Sequence, residues 1–172
     1  QSSTGKKMEF EILLYSKAFE RVVLPFIKNL KTLGIKATPR LVDTNQYVQR
    51  LRKFDYDMII MTIGQGNSPG NEQRNYWTST SADISGSRNY SGIKTPVIDD
   101  LVKNIIEAND RKDLVNYTKA LDRVLLWNFY TIPQWHLAME RIAYWNKLHR
   151  PEKISDQGVD FDTWWVNPES GK

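Results

Sequence analysis

The chain has 172 residues, of which 40% are hydrophobic and 12% aromatic, with a formal net charge of +4; this is enough apolar material for a core in one domain, or in a domain with an appendage. The basic excess lies in the first half and no basic run exceeds two residues, so a mixed solvated surface is expected and a nucleic-acid face, which needs clustered Lys and Arg, is not. The lack of cysteine excludes a disulfide framework and any thiolate metal site, and no apolar run approaches the ~20 residues of a membrane helix.

Gln1–Lys7 is polar, lacks a signal-peptide pattern and reads as a linker or cloning remnant, so an exported protein would be without its beginning here. Glu9–Tyr15 mixes alternation with a solid apolar end and predicts a strand. Phe19, Val22, Val23, Phe26, Ile27, Leu30 and Leu33 then repeat at three and four, which predicts a helix ending at Gly34; Pro25 inside it implies a kink or a late start. Ile35–Val42 is a second strand, Thr44–Lys53 a second helix capped by Thr44, and Met58–Ile63 a third, buried strand. The order β-α-β-α-β predicts an open α/β sheet, mainly parallel, with right-handed crossovers.

The third strand runs into Gly64, Gly66, Pro69 and Gly70, a loop that lets another molecule approach the backbone closely, and Asn71 is placed to cap a short helix towards Trp77. Strand, glycine loop and helix start together predict a ligand-facing edge of the sheet. Thr78–Lys94 is a long polar loop, a kind more often functional than idle. Pro96 starts a helix through Ile98, Leu101, Val102 and Ile105, and Asp110 caps another carrying Leu114, Tyr117, Leu121, Val124 and Leu125, the two forming an antiparallel pair. Thr131–Tyr144 reads as extended strands, and Lys147–Lys172 as a peripheral segment. Trp127, Trp135, Trp145, Trp164 and Trp165 crowd this end of the chain, which implies a missing packing partner or a dimer formed through the tail.

Little here suggests catalysis. Gly64 to Gly70 spells G-x-G-x-x-x-G with a proline inside, not a dinucleotide fingerprint, and no Walker-type Gly-Lys-Ser/Thr occurs. His136 and Glu140 share a side of the chain, but two ligands do not make a metal site, and His149 reads as a solvated surface residue. No G-x-S-x-G nucleophile is present. Neither a catalytic set, a metal nor a cofactor is expected. Trp77, Trp135, Arg74 and Arg88 form a better binding set, flat aromatic area beside guanidinium groups suited to carboxylates.

Several segments, read together, resemble the C-terminal part of a family 5 extracellular solute-binding protein, the oligopeptide and dipeptide receptors of ABC importers. They are Phe10–Val42 with Phe54-Asp55-Tyr56-Asp57, the run from Asn89 to Asp122, and Ala120–Trp135. Pro69 to Arg74, Gly86 to Asn89, Trp127-Asn128, Ile132 to His136 and Phe161 to Trp165 are most similar to the YejA-like group. The resemblance implies a periplasmic, non-catalytic receptor of two lobes that closes on a peptide or peptide-like ligand and docks on transporter permease subunits, with no nucleic-acid partner. It also implies that this chain is a fragment: residues 1–7 a linker, 8–131 the C-terminal ligand-binding lobe, and 132–172 cross-over strands and a tail returning to a missing N-terminal lobe. The expected ligand contacts, read from the residues themselves, are Gly64, Gln65, Gly66, Asn67, Arg74, Trp77, Ser87, Arg88, Asn89, Trp135 and His136. Such receptors typically place an aspartate just after the third strand, where it pairs with the ligand's α-amino group. Here Gly64-Gln65-Gly66 stands instead, which leaves open a blocked or modified peptide, or recognition through the main chain. The alternatives are a hydrolase or transferase using His136 and a nucleotide-binding domain using the glycine loop.

Overall fold

The computed structural model describes residues 5–136, 139, 141–153 and 158–166. Chain contacts divide it into two units, Gln1–Thr131 and Ile132–Lys172.

In the first unit β1 (Glu9–Leu14) is the middle strand of a parallel sheet of order β2-β1-β3, flanked by β2 (Lys36–Leu41) and β3 (Met58–Ile59). The period-2 alternation of a strand sends successive side chains to opposite faces. Ile12 and Leu14 therefore meet Val23, Phe26, Ile27 and Leu30 of α1 (Glu20–Thr32), while Leu13 meets Tyr47 and Leu51 of α2 (Thr44–Arg52). Both faces are covered, which is why the end of β1 is a continuous apolar run. Leu13 is 0% exposed, a burial worth about 1.5–3 kcal/mol. Pro39 falls in β2, an edge strand of this sheet, where a missing N–H is tolerated.

Several local expectations need correction. α1 begins at Glu20 and contains Pro25, so the late start is not seen; Pro25 and Arg21, whose carbonyl it deprives of a donor, are both exposed, so that carbonyl is open to water. Leu33 lies outside the apolar face at 74% exposed, just before Gly34, which takes the left-handed φ of 78° expected of a C-terminal glycine. α2 is capped by Asp43, whose Oδ1 accepts from the Gln46 N–H at 2.9 Å, and not by Thr44, which is already helical. β3 covers only two of the six residues expected. β1 ends at Leu14, which by register stands opposite Ile60, and its chain turns into a 3-10 helix (Lys17–Phe19), so beyond Ile60 β1 offers the third strand no partner. The Ile60 carbonyl is instead taken by the Tyr47 hydroxyl at 3.2 Å.

The rest of this unit packs on a second core. α3 (Gln73–Trp77), α4 (Pro96–Ile106) and α5 (Arg111–Trp127) bring Tyr76, Trp77, Ile98, Val102, Ile105 and Leu121 together around Ile93. Pro96 opens α4 and Asp110 caps α5, accepting from the Asp113 N–H at 2.8 Å. The segment after β3 links the cores: Ile60 packs with α1, Ile59 with α2, and Ile63 with the α4 and α5 cluster. The expected Asn71 cap of α3 is not made; the N-cap is Glu72, without a side-chain cap bond, and its carboxylate accepts from the Gly70 N–H at 2.8 Å.

In the second unit β4 (Leu148–His149) pairs antiparallel with β5 (Trp165–Val166). The His149 and Trp165 rings stack at 6.2 Å, and Tyr144 meets Trp164 edge-on at 4.7 Å. Thr131–Tyr144 forms no strand among its described residues, and none of the described residues of 132–166 is buried. Among its described residues this unit shows a two-residue strand pair and aromatic contacts, and no buried side chain.

Candidate functional site

The loop from Ile60 to Gly70 leaves the sheet beside α5 and is fastened at two points. Arg111 Nη1 donates to the Asn67 carbonyl at 2.6 Å. Gln73, only 3% exposed, donates through Nε2 to Gln65 Oε1 at 2.6 Å and accepts at Oε1 from the Trp77 indole N–H at 2.8 Å. Glu72 adds to this end of the loop. The Gly70 N–H, and after it the Gln73 amide, hold its carboxyl below the usual carboxylate range. Between loop and helix lies a cavity of about 360 Å3. Its apolar wall includes Trp77, Ile105, Leu121 and Leu125, and its polar rim carries Arg111, Lys119 and Asp122.

Gly64 and Gly66 are exposed, and no heavy atom lies within 4 Å of where a Cβ would stand at either. The backbone there is open to a ligand, while Gln65, Gly66, Asn67 and Trp77 all line the cavity. Trp77 serves the core as well, at 8% exposed. Arg74 is exposed on α3 and does not line this cavity.

Ser87 and Asn89 are placed differently from the expectation. Asn89 is 0% exposed: its Oδ1 accepts from the Ile93 N–H at 2.8 Å, and its Nδ2 donates to the carbonyls of Ile93 at 2.9 Å and Thr78 at 3.0 Å. Ser87 is also buried, its N–H donating to the Ile84 carbonyl and its Oγ accepting from the Asn89 N–H. These groups are buried and spent on closing the Thr78–Lys94 loop onto itself. Arg88 stays exposed, its backbone N–H held by the Asn75 carbonyl and its guanidinium bonded to the Tyr76 hydroxyl.

Trp135, 59% exposed, and His136, also exposed, belong to the second unit. Glu140, named with His136 as a metal pair, lies outside the described residues. Among the described residues no three His, Asp or Glu side chains gather as metal ligands, and no helix is long and apolar enough to cross a membrane. Sequence reasoning missed Gln73, Arg111, Lys119 and Asp122. A glutamine four residues before a tryptophan on one helical face was the available signal for Gln73; the α5 residues read as an ordinary solvated face.

No family model matches the chain. One solved structure, the oligopeptide-binding protein AppA of Bacillus subtilis in complex with a nonapeptide, superposes with a TM-score of 0.68 over 95% of this chain and 32% of its own, at 18% identity. The fold is therefore that of part of a periplasmic binding protein of the two-lobed type. Over 165 residues, 95% of the chain, the sequence is 50% identical to the uncharacterised protein y4wM of Sinorhizobium fredii and 47% identical to the probable peptide-binding protein YejA of Agrobacterium fabrum. The chain is homologous to a stretch of these proteins and spans about a quarter of their length, 25% and 27% respectively.

Proposed function

We propose that this chain forms the C-terminal ligand-binding lobe, residues 8–131, and the returning tail, residues 132–172, of a periplasmic receptor that captures peptides or peptide-like solutes for an ABC importer. The observation that carries the reading is the 47% identity over 165 residues to a probable peptide-binding protein. The open backbone at Gly64 and Gly66 supports it, since an extended peptide satisfies exposed main-chain groups as an added strand does. In this reading the receptor works by closure of two lobes and catalyses nothing. Its other partners are the N-terminal lobe of the same protein and the permease subunits.

A cleft between two lobes loses about half its contacts when one is absent. Calorimetry with a mixed peptide pool is therefore expected to show binding by the two-lobed protein and little or none by the 172-residue chain. Micromolar binding by the chain alone would place the whole site within this lobe, and a two-lobed protein that ignores peptides would sink the reading. The rival enzyme has its own check. Peptidase and esterase panels should find no turnover that His136→Ala removes.

A further inference from the structure

The relay Trp77–Gln73–Gln65, which fastens one end of the loop, has a fixed chemical polarity. Amide orientation is ordinarily assigned from the hydrogen-bond network, because oxygen and nitrogen look alike. Here one group settles it: an indole N–H can only donate. The Trp77 indole donates at 2.8 Å, so Gln73 turns its oxygen to Trp77 and its nitrogen to Gln65. Gln65 must then offer its oxygen to Gln73. Its own amide nitrogen, which makes no hydrogen bond among the described residues, is left as the donor at the edge of the cavity.

The loop thus presents a donor where a carboxylate acceptor would be needed to hold an ammonium group. The rim adds to this bias. Arg111 and Lys119 outnumber Asp122, for a formal charge of +1 by simple subtraction of one acid from two bases. Arg111 commits one nitrogen to the Asn67 carbonyl, and the guanidinium has further N–H groups in a fixed fork. Below the rim the wall is apolar, with Trp77, Leu121 and Leu125. At about 360 Å3 the cavity falls within the range of small-ligand sites.

We propose that this cavity takes the carboxylate-bearing end of a peptide whose last side chain is apolar, the carboxylate meeting Lys119, Arg111 and the Gln65 amide and the side chain lying against Trp77 and Leu121. The proposal rests on the peptide-receptor reading above and specifies which end of the ligand this lobe reads. Two acids oppose it: Asp122 on the rim, the group that would attract a free amine instead, and Glu72 beside the relay, whose carboxylate already accepts from the Gly70 N–H and the Gln73 amide.

The test uses 1H–15N spectra of the 172-residue chain, with the Trp77 indole N–H and the Gln65 side-chain amide as reporters. Three probes are titrated: N-acetyl-Ala-Phe with a free carboxylate, the same compound as its C-terminal amide, and Ala-Phe-amide with a free amine. The acid is expected to shift both reporters in the millimolar range, and the acetylated amide to bind at least ~5-fold more weakly, about 1 kcal/mol. Lys119→Gln should bring the acid down to the level of the amide while leaving the indole resonance of the unliganded chain in place, which shows that the cavity itself is intact. Equal binding of acid and amide, or preferred binding of the free amine that Asp122→Asn abolishes, would each overturn the proposal; if the lobe alone gives no shift, the same three probes are read against the two-lobed protein, where the same outcomes decide. Peptide capture by the two-lobed protein that is indifferent to C-terminal amidation rejects this cavity's role and leaves the receptor reading standing. Failure of that protein to capture any peptide rejects the reading itself.

Discussion

The loop after β3 and the loop after α3 are written in the same alphabet. Gly64 to Gly70 and Ser85 to Gly92 both mix glycine, serine and asparagine, and nothing local separates them. In the structure they are opposites. The Gly64–Asn67 stretch is exposed, with open space over both glycines, whereas Ser87 and Asn89 are buried and donate and accept within their own loop. Polar loop composition therefore identifies neither a site nor a scaffold. What separates the two is whether donors and acceptors have been consumed internally, because a buried polar group is stable only when it is paired, and a group already paired has nothing to offer a ligand.

The largest effect on this contrast is expected from Asn89→Ala. It strips partners from the Ile93 N–H and from the Ile93 and Thr78 carbonyls at a fully buried position, and should destabilise the chain by about 3 kcal/mol or more. Urea unfolding measures this. An unchanged midpoint would mean that the loop is not sealed by this side chain and that the contrast is false.

Gly66→Val probes the open loop and should do the reverse. With nothing within 4 Å of the new Cβ, stability is expected to move by no more than ~0.5 kcal/mol. Peptide affinity of the two-lobed protein should fall more than ~10-fold, about 1.4 kcal/mol. Calorimetry beside the same unfolding experiment separates the two readouts, and parent-like binding would make the loop a scaffold turn.

The smallest effect concerns how the open loop is anchored. Tyr47→Phe removes the hydroxyl that holds the Ile60 carbonyl and should cost about 1 kcal/mol. Burial, and after it the neighbouring tyrosines, push the Tyr47 and Tyr56 phenols up to about 12 from an ordinary value of 10.0. In the unfolded chain these phenols ionise near pH 10, while in the folded chain they stay neutral. Their contribution is therefore fully present below about pH 10 and is lost as pH rises towards about 12. Unfolding midpoints followed across that interval should fall, and fall less steeply in Tyr47→Phe. Parallel slopes would show that Tyr47 titrates as an exposed phenol does.

The class of fold and most element positions were legible because their causes are local. Apolar spacing of three and four marked α1, α4 and α5, Pro96 and Asp110 marked helix starts, and Gly34 marked an end. Errors began where a neighbour distant in sequence decided the outcome. β3 was read as six residues because Met58–Ile63 is apolar throughout, but strand pairing needs a partner and β1 ends at Leu14. The capping error at Thr44 was different in kind: Asp43 and Thr44 are both good caps, and the register of a single residue is finer than pattern reading resolves.

For the candidate site the division follows the same physical line. The glycines that open the backbone at Gly64 and Gly66 belong to the sequence alone, since a missing side chain is missing in any fold. The order of elements that brings this loop off the sheet edge is equally a product of local periodicity and turn chemistry. Tertiary structure decided the rest. Gln73 became a buried relay between Gln65 and Trp77, Arg111 reached across 44 positions to Asn67, and Asn89 was spent on Thr78 and Ile93. The reason is that a hydrogen-bonding side chain has the same capacity wherever it stands, and only the approach of its partners determines whether that capacity is used up inside the fold or left facing outward.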